Sequence, residues 1–360
     1  MDERAFPYKV GQPVPEWDLR HRLPIEKPVS SECQDAGTIF RINSTYMDVT
    51  DQPYMYRQDQ VFLVLIFAFT SVILAVAPIW IFSNSVPDLD IGTAVIFGIA
   101  IGTSIHYARI TFKHGRDEFF SLRRRPIRFH RKEKKIYAIR RRRFFAKPGQ
   151  GDVTWEVPWN DSSIFCIHYG MVHFRRVYHI RCYEVDQNGN VIRAFSIGRS
   201  WQEHEGLEGL LAQWNYWCRY MNQGPGELPS PRLYFKERED RAESFLFCIG
   251  GFDVRIGPIF LRLLIIPFVL METSHRLLAL WTCRDPIWPD AVSSVSVIDP
   301  EDPYNQPSWG TPVGWAETGN AIDRDEYPNG DKREMKNWHG KKDPAANTLL
   351  WAQDTPPLLK

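Results

Sequence analysis

From Val61 to Phe82 the chain reads VFLVLIFAFTSVILAVAPIWIF, 22 residues without a charged side chain. A helix needs about 20 apolar residues to cross a hydrocarbon core of roughly 30 Å, so this run has the length of one crossing. A water-facing helix carries a polar side, and this one has none. A second run, IGTAVIFGIAIGTSIHYARI, starts at Ile91 and stays uncharged until Arg109. Only SNSVPDLD separates the two, with Pro87, Asp88 and Asp90 to break the helix and turn the chain. The pattern predicts transmembrane helices at 61–82 and 91–110 joined by a turn at 83–90. The alternative is a helix pair buried in a soluble core.

The positions of Lys and Arg set the expected orientation. The turn has neither. After the second run come Arg109, Lys113, Arg116, Arg123, Arg124, Arg125 and Arg128, then Arg140, Arg141, Arg142 and Arg143. The turn is therefore expected outside, with the N-terminal segment 1–60 and everything after the pair inside. These basic residues are candidate contacts for anionic lipid headgroups, each worth about 1 kcal/mol near a charged surface. Nucleic acid is the competing partner for so basic a tract, but no zinc finger or RNP-type motif accompanies it. With 44 basic and 43 acidic residues the chain is close to neutral overall, so the tract is a local asymmetry. Residues 1–30 hold no apolar segment, and no cleavable signal peptide is expected.

Small residues recur along both apolar runs. Ala68, Ser71 and Ala75 lie on one stripe of the first, and Gly98 and Gly102 form a G-x-x-x-G in the second. Such stripes let helix backbones approach closely. Their expected use is packing the two helices together, with a homodimer contact as the alternative.

Past the apolar pair the periodicity becomes alternating. PIRFHR, KIYAIRR, VTWEVPW, SIFCIHY, MVHFRR, VYHIRCYEV and VIRAFSIG predict about seven short strands, with Asn188-Gly189 at a hairpin turn. Ser200 and Glu203 fit a capping box. Leu207, Leu210, Leu211, Trp214, Cys218 and Met221 then recur at helical spacing, and Gly224 stands where a C-terminal cap belongs. Strands closed by one amphipathic helix give the expected fold class: a membrane α+β protein whose residues 111–235 form a small pleckstrin-homology-like barrel or sandwich.

A third apolar region, 245–290, is interrupted by Arg262, Pro267, Glu272, His275 and Arg276. Burying several charges in lipid costs several kcal/mol, so broken or interfacial helices are expected, with a third crossing as the alternative. Residues 299–360 are rich in Pro, Asp, Asn and Gly and are expected to be a mostly disordered tail, with NTLLWAQ (347–353) as its apolar patch. The six cysteines are scattered without a C-x-x-C pair, the pattern of reduced, incidental thiols. His168, His173 and His179 stand close in sequence but on separate strands. No Walker loop, G-x-S-x-G or H-E-x-x-H is present. No cofactor, metal or catalytic residue is expected.

The apolar pair, PIRFHR, WEVPW, CRYMNQGPGELPSP and CRDPIWPDAV together resemble a family of uncharacterised proteobacterial inner-membrane proteins, over roughly residues 15–295. Genes of that family often accompany type VI secretion clusters and their toxic effectors. The resemblance implies a bacterial inner membrane, interbacterial competition, and a role as an immunity or effector-handling protein whose partners are lipids and a secreted or secretion-system protein. It supplies no site residue.

Overall fold

A computed structural model describes residues 9–35, 37–51, 57–85, 91–140, 152–160, 162–172, 175–202, 207–231, 233–251 and 259–324. In chain order the elements are α1 (Glu16–Arg20), β1 (Ile39–Ile42), β2 (Tyr46–Val49), α2 (Arg57–Ser85), α3 (Ile91–Glu118), β3 (Ile127–His130), β4 (Lys135–Arg140) and β5 (Val153–Pro158). They continue with β6 (Ile164–Val172), β7 (Arg175–Val185), β8 (Val191–Gln202), α4 (Glu208–Gln223), α5 (Arg241–Gly251), α6 (Ile259–Thr282), α7 (Asp290–Val295) and α8 (Trp315–Asp323). The chain divides into two compact units. The first draws on Met1–Met55, Arg124–Leu246 and Asp285–Lys360, the second on Tyr56–Arg123 and Phe247–Arg284.

Two antiparallel sheets build the first unit, one ordered β1-β2-β3-β4-β5 and the other β6-β7-β8. They do not join into a closed barrel. Among the described residues six strands follow the apolar pair where about seven were expected, because Met171 and Val172 end β6 while Arg175 and Arg176 begin β7. Two more strands precede the pair, in a segment that composition alone left without structure. β2 pairs antiparallel with β3, with Val49 opposite Ile127 and Met47 opposite Phe129. The sheet thus joins strands from both sides of the apolar pair. At the β7–β8 turn only Gly189 has a positive φ, at 79°. Asp186 Oδ1 accepts from the amides of both Asn188 and Asn190 at 2.8 Å, so the side chain holds the turn.

α4 is the centre of this unit. Every residue from Leu210 to Met221 is buried. Leu210, Leu211, Trp214, Trp217 and Met221 share one core with Ile127, Phe129 and Ile136 of the first sheet and Phe165, Ile180 and Phe195 of the second. The helix has a polar side, but the N-terminal segment covers it. Asn215 accepts from the Val29 amide at 2.9 Å and donates to the Ser30 and Glu32 carbonyls, both at 2.8 Å. Asn222 donates to the Ile25 carbonyl and Tyr220 to that of Asn43, both at 2.7 Å. Ser200, expected to start a capping box, lies inside β8, and α4 begins only at Glu208; Glu203 lies outside the described residues. Gly224, with φ 96°, ends the helix by donating to the Arg219 and Tyr220 carbonyls.

Residues 285–324 also have definite partners in this unit. Ile42 and Gln306 exchange both backbone hydrogen bonds at 2.8 Å, and Glu243 accepts from the Trp315 and Ala316 amides at the start of α8. Only the part of the tail beyond residue 324, with NTLLWAQ, lies outside the described residues.

In the second unit α2 packs against α3. Ser71 Oγ donates to the Ser104 carbonyl at 2.9 Å, and Ser104 Oγ returns the bond to the Ser71 carbonyl at 2.8 Å. Phe67 stacks on Tyr107, and Gly115 lies against Val64. Residue numbers fall along one helix as they rise along the other, so the two run antiparallel. Ser71 sits on the packed stripe, with its half-buried neighbours Ala68 and Ala75. Gly98 and Gly102 do not: both are exposed, and a Cβ at either would meet nothing within 4 Å. Phe97, Ala100, Ser104, Tyr107 and Thr111 hold that stripe of α3 instead, about 100° per residue around the axis from the glycines.

At one end of this unit Arg57 donates to the Leu122 carbonyl at 2.9 Å and to Cys283 Sγ at 3.0 Å. Cys283 Sγ in turn donates to the Glu118 carbonyl at 3.3 Å. The start of α2 is thereby pinned to the ends of α3 and α6, where a cation is favoured by the exposed carbonyls. α6 is one continuous helix through Pro267. Arg276 is fully buried with its guanidinium 4.1 Å from the centre of the Phe247 ring.

Two substitutions test this packing. Asn215→Ala orphans one amide and two carbonyls, at about 1–3 kcal/mol for such a loss. A denaturant melt followed by Trp fluorescence in detergent should register that drop, and an unchanged midpoint would refute the covering role of the N-terminal segment. Ser71→Leu should lower the melting point of the helical unit while Gly98→Ala leaves it in place; the reverse order would put the helix contact on the glycine face.

Candidate membrane interface

α2, α3 and α6 are 29, 28 and 24 residues long. At 1.5 Å per residue they measure about 43, 42 and 36 Å, each longer than a hydrocarbon core of roughly 30 Å. Candidate spans run Val61–Ile81, Ile91–Arg116 and Leu263–Thr282. Only 6 % of the most apolar stretch of each of the first two is buried, and 28 % of the third. Phe69, Val72, Val76 and Ile79 of α2, and Ile96, Ile99 and Ile105 of α3, stand open. Monomeric soluble proteins rarely expose contiguous apolar patches beyond a few hundred Å². Length and composition make all three helices able to cross a membrane. Trp80, near the last turn of α2, and Trp281, near that of α6, are exposed at opposite ends of this unit. Amphipathic rings favour those levels at a lipid–water boundary.

The basic flank divides into two groups. Arg109, Lys113 and Arg116 lie exposed on the last turns of α3 at steps of four and three, which puts them on one face. Phe112 is exposed beside them. The other described members of the flank have partners within the chain. Arg123 donates to the Cys283 carbonyl at 3.5 Å, and Arg125 is half-buried. Arg124 lies over the Phe40 ring with Glu237 at 3.4 Å. Arg140 sits 3.8 Å from the buried Asp51 and over Trp155. Arg141, Arg142 and Arg143 lie outside the described residues.

Arg128 is not a headgroup ligand. Its Nε and Nη2 each donate to one oxygen of Asp48 at 2.8 Å. The guanidinium is sandwiched between the rings of Tyr46, at 3.8 Å, and Trp288, at 4.4 Å. Burial opposes its charge, but the attraction and hydrogen bonds of Asp48 outweigh that and raise its pKa. Arg128 and His130 share one face of β3, and Trp288 and the Val295 carbonyl, from the segment 288–297, cover it. His130 donates to the Val295 carbonyl at 2.9 Å through Nε2 and accepts from the Glu133 amide at Nδ1, so the ring is neutral here. Burial lowers its pKa, although the Val295 carbonyl works against that shift.

A second polar group joins α1 to the three-stranded sheet. The buried Asp18 accepts from Tyr183 OH at 2.6 Å and pairs with His168 Nδ1 at 2.7 Å. His168 and His179 are direct cross-strand neighbours with ring centres 5.2 Å apart; His173 lies outside the described residues. A carboxylate, an imidazole and a phenol could exchange protons, but burial raises the Tyr183 pKa and pushes that of nearby Cys166 well up. Burial likewise raises Cys182 and Cys218, and pushes the Cys33 thiol up to about 12. These thiols stay protonated and unreactive at neutral pH. Among the described residues no group of three or more His, Cys, Asp or Glu could hold a metal ion. An open groove of about 310 Å³ is lined by Arg22, Leu23, Pro24, Ile25 and Ser163, with no acid, thiol or imidazole among them.

The fold therefore defines a mixed helix-and-sheet protein with three apolar helices set into a chain that otherwise builds antiparallel sheets. Over residues 104–300 it matches a family of unknown function (DUF6708), and it belongs to that family. The match runs from within α3 to just past α7, leaving out β1, β2 and α2. No curated protein and no solved structure matches the chain.

Breaking the Arg128–Asp48 pair should be costly. Arg128→Gln strands a buried carboxylate and is expected to destabilise by about 3–5 kcal/mol, against less than about 0.5 kcal/mol for Lys113→Gln on the exposed stripe; equal melts would contradict the assignment. His130 gives a pH signature. A lowered folded-state pKa means the unfolded chain binds more protons, so the contribution of His130 is present above about pH 6.5 and is lost as pH falls below it. The difference in melting temperature between wild type and His130→Gln should shrink on acidification from pH 7.5 to 5.5. A constant or growing difference would contradict the neutral buried ring.

Proposed function

We propose that the chain is a membrane-anchored, non-enzymatic binding protein, held in a bacterial inner membrane by α2 and α3 as a helical hairpin with most of its residues on the cytoplasmic side. The observation that carries this reading is the apolar surface of those two helices, which is left exposed among the described residues. Arg109, Lys113 and Arg116 follow the second helix and the turn at 83–90 has no basic residue, which supports placing the bulk inside. The partner is a protein, and the setting is type VI secretion, where an inner-membrane resident would neutralise or escort a toxic effector. That setting rests on the sequence resemblance. Deleting the gene should sensitise a strain to secretion-competent siblings by at least tenfold in a contact-dependent competition. Equal survival would refute the immunity role and leave the anchor reading standing.

A lipid- or peptide-binding adaptor is the second reading, favoured by the exposed cationic stripe on α3. In that reading the sheets and α4 act as a pleckstrin-homology-like module beside the bilayer. Substituting Gln at Arg109, Lys113 and Arg116 should reduce the anionic phospholipid retained by the detergent-purified full chain several-fold, with the fold unchanged. Undiminished retention by native mass spectrometry would set the adaptor aside.

A further inference from the structure

We infer that the outer face of the three-stranded sheet is a recognition site for an acidic segment of a protein partner, and that α1 occupies this site in cis through Asp18. The inference rests on the protein-partner reading above and names that partner's chemistry. Successive strand residues point to opposite faces. Phe165, Ile180 and Phe195 turn into the core shared with α4. The opposite face carries Cys166 and His168 of β6, His179, Arg181 and Tyr183 of β7 and Ser196 of β8, all buried except the half-buried His168. The register sets Cys166, Arg181 and Ser196 in one row and His168 beside His179 in the next. Arg181 Nη1 donates to the Tyr183 hydroxyl at 3.3 Å, and that hydroxyl donates to Asp18 Oδ2 at 2.6 Å. His168 Nδ1 meets the same oxygen at 2.7 Å. Two strand side chains thus converge on one carboxylate oxygen, backed by a buried guanidinium. An apolar segment laid there would leave Tyr183 and His168 without that acceptor, so the face selects for an acid. Trp17 adds a second feature, standing edge-on to the Tyr169 ring at 4.6 Å. The recognised pattern is an aromatic residue followed directly by an acidic one.

α1 is a weakly held occupant. It has five residues, far below the roughly 12 that a helix needs to stand alone in water. No side chain caps its N-terminus, and its Glu16–Arg20 pair is exposed, where such pairs contribute little. Asp18 is its only buried residue. The chain on either side is fixed more firmly, by main-chain bonds to both edges of the sheet. On β8 the Gly11 amide donates to the Val191 carbonyl at 2.9 Å, and the Val191 amide to the Gln12 carbonyl at 2.8 Å. On β6 the Leu23 amide donates to the Phe165 carbonyl at 2.7 Å, and the Ile167 amide to the His21 carbonyl at 3.1 Å. α1 is slung across the face between these moorings, so residues 13–20 can lift without undoing either. Segments with few buried contacts open locally in this way. A partner that supplies its own carboxylate keeps Tyr183 and His168 satisfied while α1 is away.

Two measurements on the full chain in dodecyl maltoside test this. Cys166 lies on the α1 face, packed with Val14, and Cys182 on the core face of the same sheet; both are fully buried. With α1 lifting on its own, N-ethylmaleimide should label Cys166 roughly tenfold or more faster than Cys182, read site by site by mass spectrometry. The second measurement uses a fluorescein-labelled peptide of residues 14–20, VPEWDLR, and its Asp18→Asn counterpart. The acidic peptide should bind the Asp18→Ala chain roughly tenfold or more tightly than wild type, whose own Asp18 competes. The Asn counterpart should bind neither. Continued protection of Cys182 shows that the variant has folded; if it has not, the Asp18→Asn chain serves as the receptor. Equal labelling of the two thiols, no gain in affinity on the variant, or equal affinity for the two peptides would each overturn the inference. Carbonate extraction and strain competition judge the anchor and its setting without involving α1, so those readings stand or fall separately.

Discussion

The uncovered apolar surface on α2, α3 and α6 is the constraint to which the rest of the architecture answers. Water penalises each exposed side chain by roughly 25 cal/mol per Å² of apolar area, and among the described residues these side chains stand open. Helices also satisfy every backbone group internally, which suits them to a lipid environment. Inserting such a pair between two strands of a water-facing domain raises a difficulty, because the strands on either side still have to find one another. The β2–β3 ladder meets it. Val49 opposite Ile127 brings the two ends of the insertion to adjacent places in one sheet, so the first unit is not divided by the helices inserted into its sequence.

The same logic recurs in the buried polar contacts. Asp48 on β2 fixes Arg128 on β3 with two parallel hydrogen bonds. Trp288, from the segment that follows α6, covers the guanidinium. One side chain thus joins the three pieces of the first unit that the apolar helices interrupt. Asp18 does similar work for α1 and the three-stranded sheet, and Asn215 for the N-terminal segment and α4. In each case a polar group buried at a junction between distant segments is fully met by partners from both. A buried group left half-satisfied would cost more than an apolar replacement, so these junctions accept only the native pairing of segments.

Much of this was legible from the residues alone where the signal is local. Val61–Phe82 announces itself because no polar side interrupts it, and β4 and β5 because Ile136, Ala138, Val153, Trp155 and Val157 alternate with polar neighbours. The failures share one physical cause, which is dependence on partners far away in the chain. β1 and β2 are four residues each, too short for a period, and are strands because β3 pairs with them. Arg128 reads as a membrane flank because Asp48 stands 80 residues earlier. Ser200 and Glu203 have the spacing of a capping box, but β8 extends through Ser200 as a partner of β7 and pre-empts it. Gly98 and Gly102 have the spacing of a close helix contact, yet α3 turns Ser104 toward α2 and makes two hydrogen bonds there. Arg57 gave no sign of its junction role beyond standing just before the apolar run.

Retention in the bilayer is the most direct measurement. Membranes from cells producing the full chain, washed with alkaline carbonate and spun, should keep the protein in the pellet until a detergent such as dodecyl maltoside is added. Release into the carbonate supernatant without detergent would mean that α2 and α3 are covered by something other than lipid, and the proposed anchor would have to be abandoned.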